Sequence, residues 1–280
     1  MERNSMLCPH CRKLISCDER VCPYCCLPIT GRSWGAKIID GFHFANISPV
    51  QAILAITILY YIASLIVSIL LANSLSLSFV ISPSQEGLFH LGATGTIPIH
   101  FYGRYWSLIS ASFLHGGILH IIFNMMALWQ IGDFVLFSYG QSRFLIIYIA
   151  TGIIGFYISL LCGVSFTIGA SASICGLIGA TLYYGKARGG FYGEMIYKQA
   201  VGWVIGLVVF GFIFPGINNW AHGGGLISGI AIAFLLGFNE RKQEMAWHKK
   251  LSFLLVIITA VTLLWALVSA LIACLHLLTS

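Results

Sequence analysis

Residues 49–72 read PVQAILAITILYYIASLIVSILLA, a run without one charged side chain. A helix rises 1.5 Å per residue and the hydrocarbon of a bilayer is about 30 Å thick, so roughly 20 such residues cross it. Similar apolar stretches follow at about 113–137, 143–163, 169–187, 198–213, 220–238 and 251–277. Seven crossings are predicted, of which the fifth is the shortest. The whole chain fits this reading: of 280 residues, 58% are apolar and 9% charged. A soluble domain is about 45–50% apolar and about 25% charged. So little charge excludes a soluble globule, a disordered chain and a coiled coil. The apolar runs are helix-length and do not alternate, which argues against a membrane β-barrel. The expected fold class is an all-α polytopic membrane protein.

The fifteen Lys and Arg orient it. Six lie before the first span, Arg143 between the second and third, three between the fourth and fifth, and four between the sixth and seventh. Only Arg104 falls on the other side. By the positive-inside rule the N-terminus is cytoplasmic and the C-terminus outside, as in a cell inner membrane. No cleavable signal peptide is visible at the start. The long outer loop, about 73–112, carries Phe101, Tyr102, Tyr105 and Trp106. Aromatics favour the membrane interface, so this loop is expected to lie on the outer leaflet.

The first 30 residues hold six cysteines. Cys8-Pro-His-Cys11 and Cys22-Pro-Tyr-Cys25 form two C-x2-C knuckles, the spacing of a four-thiolate tetrahedral zinc site. The segment is too short to fold on a core of its own, so metal binding would supply its folding free energy. A cytoplasmic location argues against disulfides. Cys26 competes with Cys25 as fourth ligand. Cys162, Cys175 and Cys274 sit in apolar spans and read as packing residues.

Polar groups inside spans mark function by default. The second span opens with His115 and continues through His120 to Asn124, the last two on one helical face. The fourth opens with Gly169-Ala170-Ser171-Ala172, and the sixth with Trp220-Ala221-His222. Under the topology above all three clusters lie near the outer ends of their helices. Ser with His makes a nucleophile and its base. A serine at a helix start also sits beside unpaired N–H groups that suit an oxyanion. Of the nine acids only Glu86 falls on the outer side, so a Ser–His dyad is expected, with no cofactor for catalysis.

Together these motifs resemble the rhomboid family of intramembrane serine proteases, over about residues 100–238. The family's H-G-x3-H-x3-N stretch corresponds to His115-Gly116 through His120 to Asn124. Its G-x-S element corresponds to Gly169-Ala170-Ser171, and its A-H-x2-G-x3-G element to Ala221-His222, Gly225 and Gly229. The resemblance implies Ser171 as nucleophile, His222 as base, and His120, Asn124 and the Ser171 N–H as oxyanion donors, with His115 more structural. It implies a six-helix bundle, with a seventh C-terminal helix as in the family's six-plus-one members. The chain departs from the pattern at Ala172, commonly Gly, and at Cys175, commonly aromatic. Where members often carry Trp-Arg, Trp106 is followed by Ser107 and the nearest Arg is Arg104.

The expected domains are a zinc-ribbon-like segment at 1–30, a linker at 31–48, a rhomboid-like core at 49–238, and a loop plus seventh helix at 239–280. The expected partners are transmembrane protein substrates and the lipid bilayer, with no nucleic acid. The competing reading is a catalytically silent rhomboid-like protein that binds transmembrane segments. A histidine-lined transporter is weaker, because no charged pathway crosses the other spans.

Overall fold

The structure is a computed structural model. It describes residues 5–8, 13–16, 22, 24, 47–72 and 81–279. The chain divides into two compact units, Met1–Ile47 and Ser48–Ser280.

In the first unit, β1 (Ser5–Leu7) and β2 (Leu14–Ser16) pair antiparallel, with Leu7 opposite Leu14. The amide of Cys8 donates to the carbonyl of Lys13 at 2.9 Å and extends the ladder by one bond.

The second unit is helical. Its long helices are α1 (Pro49–Ala72), α4 (Ile118–Tyr139), α5 (Gln141–Leu161), α6 (Ser171–Arg188), α7 (Gly190–Ile213), α8 (Asn219–Leu236) and α9 (Ala246–Thr279). Two short helices, α2 (Gln85–His90) and α3 (Ser107–Ser110), lie between α1 and α4, with a π-helical turn at Ile97–Phe101 and a 3-10 turn at Ala111–Phe113. The described part of the loop expected on the outer leaflet, from residue 81 on, is therefore structured. Ser84 caps α2 by accepting from the Gly87 amide at 3.0 Å. Thr94 and Thr167 exchange backbone hydrogen bonds at 3.1 and 2.7 Å, tying the loop to the segment that leads into α6.

Six of the long helices are apolar enough to cross a membrane; α6 is not among them. Its sequence, SASICGLIGATLYYGKAR, is rich in small and polar residues. The reason is position: twelve of its eighteen residues are buried. A helix enclosed by other helices need not be apolar toward lipid; it needs small residues that let its neighbours close in. By contrast α7 buries only Gly193, Ile196, Ala200 and Gly211, and its apolar surface faces outward. The sequence makes the fifth crossing the shortest, whereas α7 runs for 24 residues, because its first turns are polar and escape a hydropathy reading. The second crossing also starts later than its apolar run. His115 precedes α4, because Gly117 is extended and the helix begins at Ile118.

At the end of the bundle away from Ser171, the loop joining α8 to α9 is strapped down. Arg143 is fully buried, and its guanidinium donates to the Lys242 carbonyl at 2.7 Å and to His248 Nδ1 at 3.4 Å. The Glu244 carboxylate accepts from the amides of Ser142 and Arg143 at 2.8 and 3.2 Å. A carboxylate there compensates the unpaired amides at the start of α5.

Candidate active site

Ser171 is the first residue of α6, and Ala170 before it offers no side-chain cap. The amides of the first turn are therefore left to point out of the helix end. Gly169 is held at φ +124, and its amide donates to the Ala111 carbonyl at 2.8 Å. A Cβ at Gly169 would lie 2.9 Å from His120 Nε2 and 3.7 Å from Ser171 Oγ. Glycine is required twice over here, for its backbone angle and for the space that lets His120 approach Ser171.

His222 stands in the first turn of α8, and its Nε2 lies 2.8 Å from Ser171 Oγ. Its Nδ1 is buried and has no hydrogen-bond partner among the described residues.

Glycines bring the two helices together. Gly225 lies against the Ala172 carbonyl and Gly229 against the Gly176 carbonyl, each too close for a Cβ. A Cβ at Gly155 on α5 would meet the Ala221 carbonyl at 2.7 Å and the Ala172 Cβ at 3.0 Å. Three backbones thus cross at contact distance one turn from the Ser171–His222 pair. Ala172, where the family commonly has Gly, is fully buried at this crossing. Cys175 is buried one turn into α6, and Cys274 is also buried, as expected of packing residues; Cys162 is exposed at the end of α5.

His120 Nδ1 accepts from the Gly116 amide at 3.4 Å, which leaves Nε2 on the side of Gly169. Asn124 is 7% exposed, and its Nδ2 donates to the His120 carbonyl at 2.9 Å. His115 is fully buried edge-on to His120, with ring centroids 4.9 Å apart.

Two further residues support this region: Asn218, which the sequence leaves unmarked, and Arg104, which it marks only as the lone outer cation near Trp106. Asn218 caps α8: its Oδ1 accepts from the Ala221 amide at 3.0 Å, and its Nδ2 donates to Ser159 Oγ at 2.6 Å and Thr167 Oγ1 at 2.9 Å. It fixes the turn that carries His222. The available signal was an Asn three residues ahead of Ala221, an ordinary N-cap pattern. Arg104 supports the outer loop: it donates to the Phe89 carbonyl at 2.7 Å and stacks 4.0 Å from the Phe89 ring.

Cys8 and Cys22 are buried in the first unit. Cys11 and Cys25, the other two expected zinc ligands, lie outside the described residues, as does most of the linker at 31–48.

A helical membrane bundle with a serine at one helix start, hydrogen-bonded to a histidine on the next glycine-packed helix, defines a class. The rhomboid domain model matches residues 102–239. The chain is 37% identical over 163 residues to the rhomboid protease GluP of Bacillus subtilis, covering 58% of this chain and 32% of GluP. It is 32% identical over 140 residues to YdcA of the same organism, covering 48% of this chain and 68% of YdcA. The inactive RHOMBOID-like protein 8 of Arabidopsis thaliana is 30% identical over 176 residues, with 62% of this chain and 50% of that protein covered. The chain belongs to the rhomboid family and is a multi-pass integral membrane protein. It spans about a third of GluP's length.

Proposed function

We propose that the protein is an intramembrane serine endopeptidase that cuts transmembrane segments of membrane proteins. The observation that carries this reading is the 2.8 Å contact between Ser171 Oγ and His222 Nε2. In this reading His222 takes the Ser171 proton as the oxygen attacks the scissile carbonyl. The oxyanion of the tetrahedral intermediate is met by the Ser171 amide at the uncapped start of α6, with His120 and Asn124 as further donors. His222 then protonates the leaving amine, and a water hydrolyses the acyl-enzyme by the reverse proton path.

The charge asymmetry of the sequence supports a cytoplasmic N-terminus and an outer C-terminus. Ser171 and His222 then lie toward the outer leaflet, and cuts fall near the outer end of the substrate's membrane segment. A helix hides its peptide bonds, so Gly or Pro near the cut favours unwinding. The N-terminal segment is proposed to bind one structural zinc through Cys8, Cys11, Cys22 and Cys25, and catalysis to use no cofactor.

One relative bears the name inactive, so similarity alone does not carry activity; the intact Ser171–His222 pair supports the active reading over a silent segment-binding protein. A serine-directed fluorophosphonate should label the purified protein but not Ser171→Ala. Mass spectrometry of a cleaved model substrate should find cuts at the outer end of its membrane segment. Unlabelled wild type would favour the silent reading, and cuts at the cytoplasmic end would overturn the orientation.

A further inference from the structure

Two residues beyond Ser171, the hydroxyl of Ser173 is fully buried and bonds to no described protein group. The hydroxyl of Tyr148 on α5 is in the same position, buried and unpartnered among the described residues. Tyr148 and Ser173 line one small cavity of about 10 Å³, together with Ser112, Phe113, Ile149 and Ile153. Gly152 makes room for two of the lining serines: a Cβ there would collide with Ser173 Oγ and stand 2.8 Å from Ser112 Oγ. A buried hydroxyl left without a partner is destabilising. Two residues with unpartnered buried hydroxyls lining one cavity are therefore unexpected unless something polar joins them. A water needs about 10–15 Å³ of such space and two to four polar partners.

We infer that this cavity is a built site for one ordered water, bridging Tyr148 and Ser173 with Ser112 as the third contact. A larger ligand is excluded by volume, and an ion by the neutral lining. The site lies between α5, the start of α6 and the 3-10 turn at 111–113. That turn also holds the other side of Ser171, because the Ala111 carbonyl accepts from the Gly169 amide. The nucleophile is thus bracketed, by a direct bond at Gly169 and by a water-mediated one at Ser173. The inference stands apart from the protease reading, since it concerns how α5 and α6 are joined.

The test is a double-mutant cycle on thermal unfolding of the full chain in detergent, with Tyr148→Phe, Ser173→Ala and the pair. If a water bridges the two hydroxyls, each single change strands it and lowers the midpoint, by about 2–4 °C. The double variant should then lose clearly less than the two singles together, because the second hydroxyl has already lost its partner. If the cavity is dry, each substitution removes an unsatisfied hydroxyl and leaves the midpoint unchanged or raised, which overturns the inference. Strictly additive losses overturn it too, since a Ser173 hydroxyl turned back on its own helix is not coupled to Tyr148. Should Ser173→Ala fail to fold, a high-resolution crystal structure of the wild type decides: electron density for a water within hydrogen-bonding reach of both hydroxyls supports the site, and an empty gap refutes it.

Discussion

The imidazole of His222 meets Ser171 at 2.8 Å through Nε2, while its Nδ1 has no hydrogen-bond partner among the described residues. In a three-member triad a carboxylate fixes the tautomer at Nδ1. Here orientation comes from the backbone. Asn218 caps the turn, its carbonyl accepts the His222 amide at 3.1 Å, and Gly225 presses α8 onto Ala172. Among the described residues, the position of His222 is thus held by the helix cap and the close helix crossing.

Ser171→Ala and His222→Ala should each reduce cleavage to background, and the double variant should be no worse than either, because a nucleophile and its base act as a unit. Cleavage of a model substrate by the purified proteins, with unfolding midpoints measured beside it, checks this. Turnover surviving in Ser171→Ala would move the nucleophile elsewhere.

Asn124→Ala should lower turnover with KM changed less. Its donor would act on charge that develops only in the transition state, and losing one such donor typically costs about 10²–10³ in rate. Steady-state kinetics over a substrate series separates the two parameters. An unchanged turnover removes Asn124 from the oxyanion site.

Gly225→Ala and Gly206→Ala should differ in sign. A methyl at Gly225 would run into the backbone carbonyl of Ala172, which cannot rotate away, whereas a methyl at Gly206 on α7 meets nothing within 4 Å. Overpacking typically costs about 1–3 kcal/mol, and here it also pushes His222 from Ser171. Relief of a mid-helix glycine is worth about 0.5–1 kcal/mol. Gly225→Ala should therefore unfold earlier and cleave less, and Gly206→Ala should be neutral or slightly stabilised. Equal behaviour of the two would deny that the α6–α8 contact sets the geometry.

What the sequence revealed depended on how local the signal was. Ser171, His222 and Asn124 stood out because polar residues inside apolar runs are rare, and the glycines beside them announced close crossing. The enclosed position of α6 was not legible, since hydropathy counts apolar residues and cannot tell a helix that faces lipid from one surrounded by protein. Asn218 escaped because its partners, Ser159 and Thr167, are brought to it only by the tertiary fold; Arg104 stood out as the lone outer cation, but its partner Phe89 did not, for the same reason. The Tyr148–Ser173 cavity was invisible for the same reason: its lining residues come from separate elements that only the tertiary fold brings together.

The N-terminal segment should carry about one zinc per chain, the stoichiometry of one four-thiolate site. Cys8 is buried directly after β1, and its amide donates to the Lys13 carbonyl next to β2. Metal analysis of protein purified under reducing conditions should find the zinc, and a Cys8/Cys11 double substitution should lose it while the bundle keeps its unfolding midpoint. Metal-free wild type would overturn the zinc proposal.

Acid should weaken the strap that fastens the end of α6. The Tyr184 hydroxyl donates to Glu240 at 2.8 Å and the Arg188 guanidinium at 2.9 Å. These two bonds, and the Arg188 charge, hold the Glu240 carboxyl below its ordinary value. A carboxyl whose value is depressed by folding stabilises the fold above its unfolded value, about 4.3 for Glu. That contribution is lost as pH falls through the lower, folded value. The unfolding midpoint of wild type should exceed that of Glu240→Gln near neutral pH, by a small margin because Glu240 is exposed and the ion pair is screened. The gap should persist down to the ordinary range of a glutamate and close below it. Differential scanning of both proteins across that range, at low and high salt, reads the effect directly. A gap that widens on acidification, or one indifferent to salt, would show that Glu240 acts through its hydrogen bond to Tyr184 alone or through packing, and not through its charge.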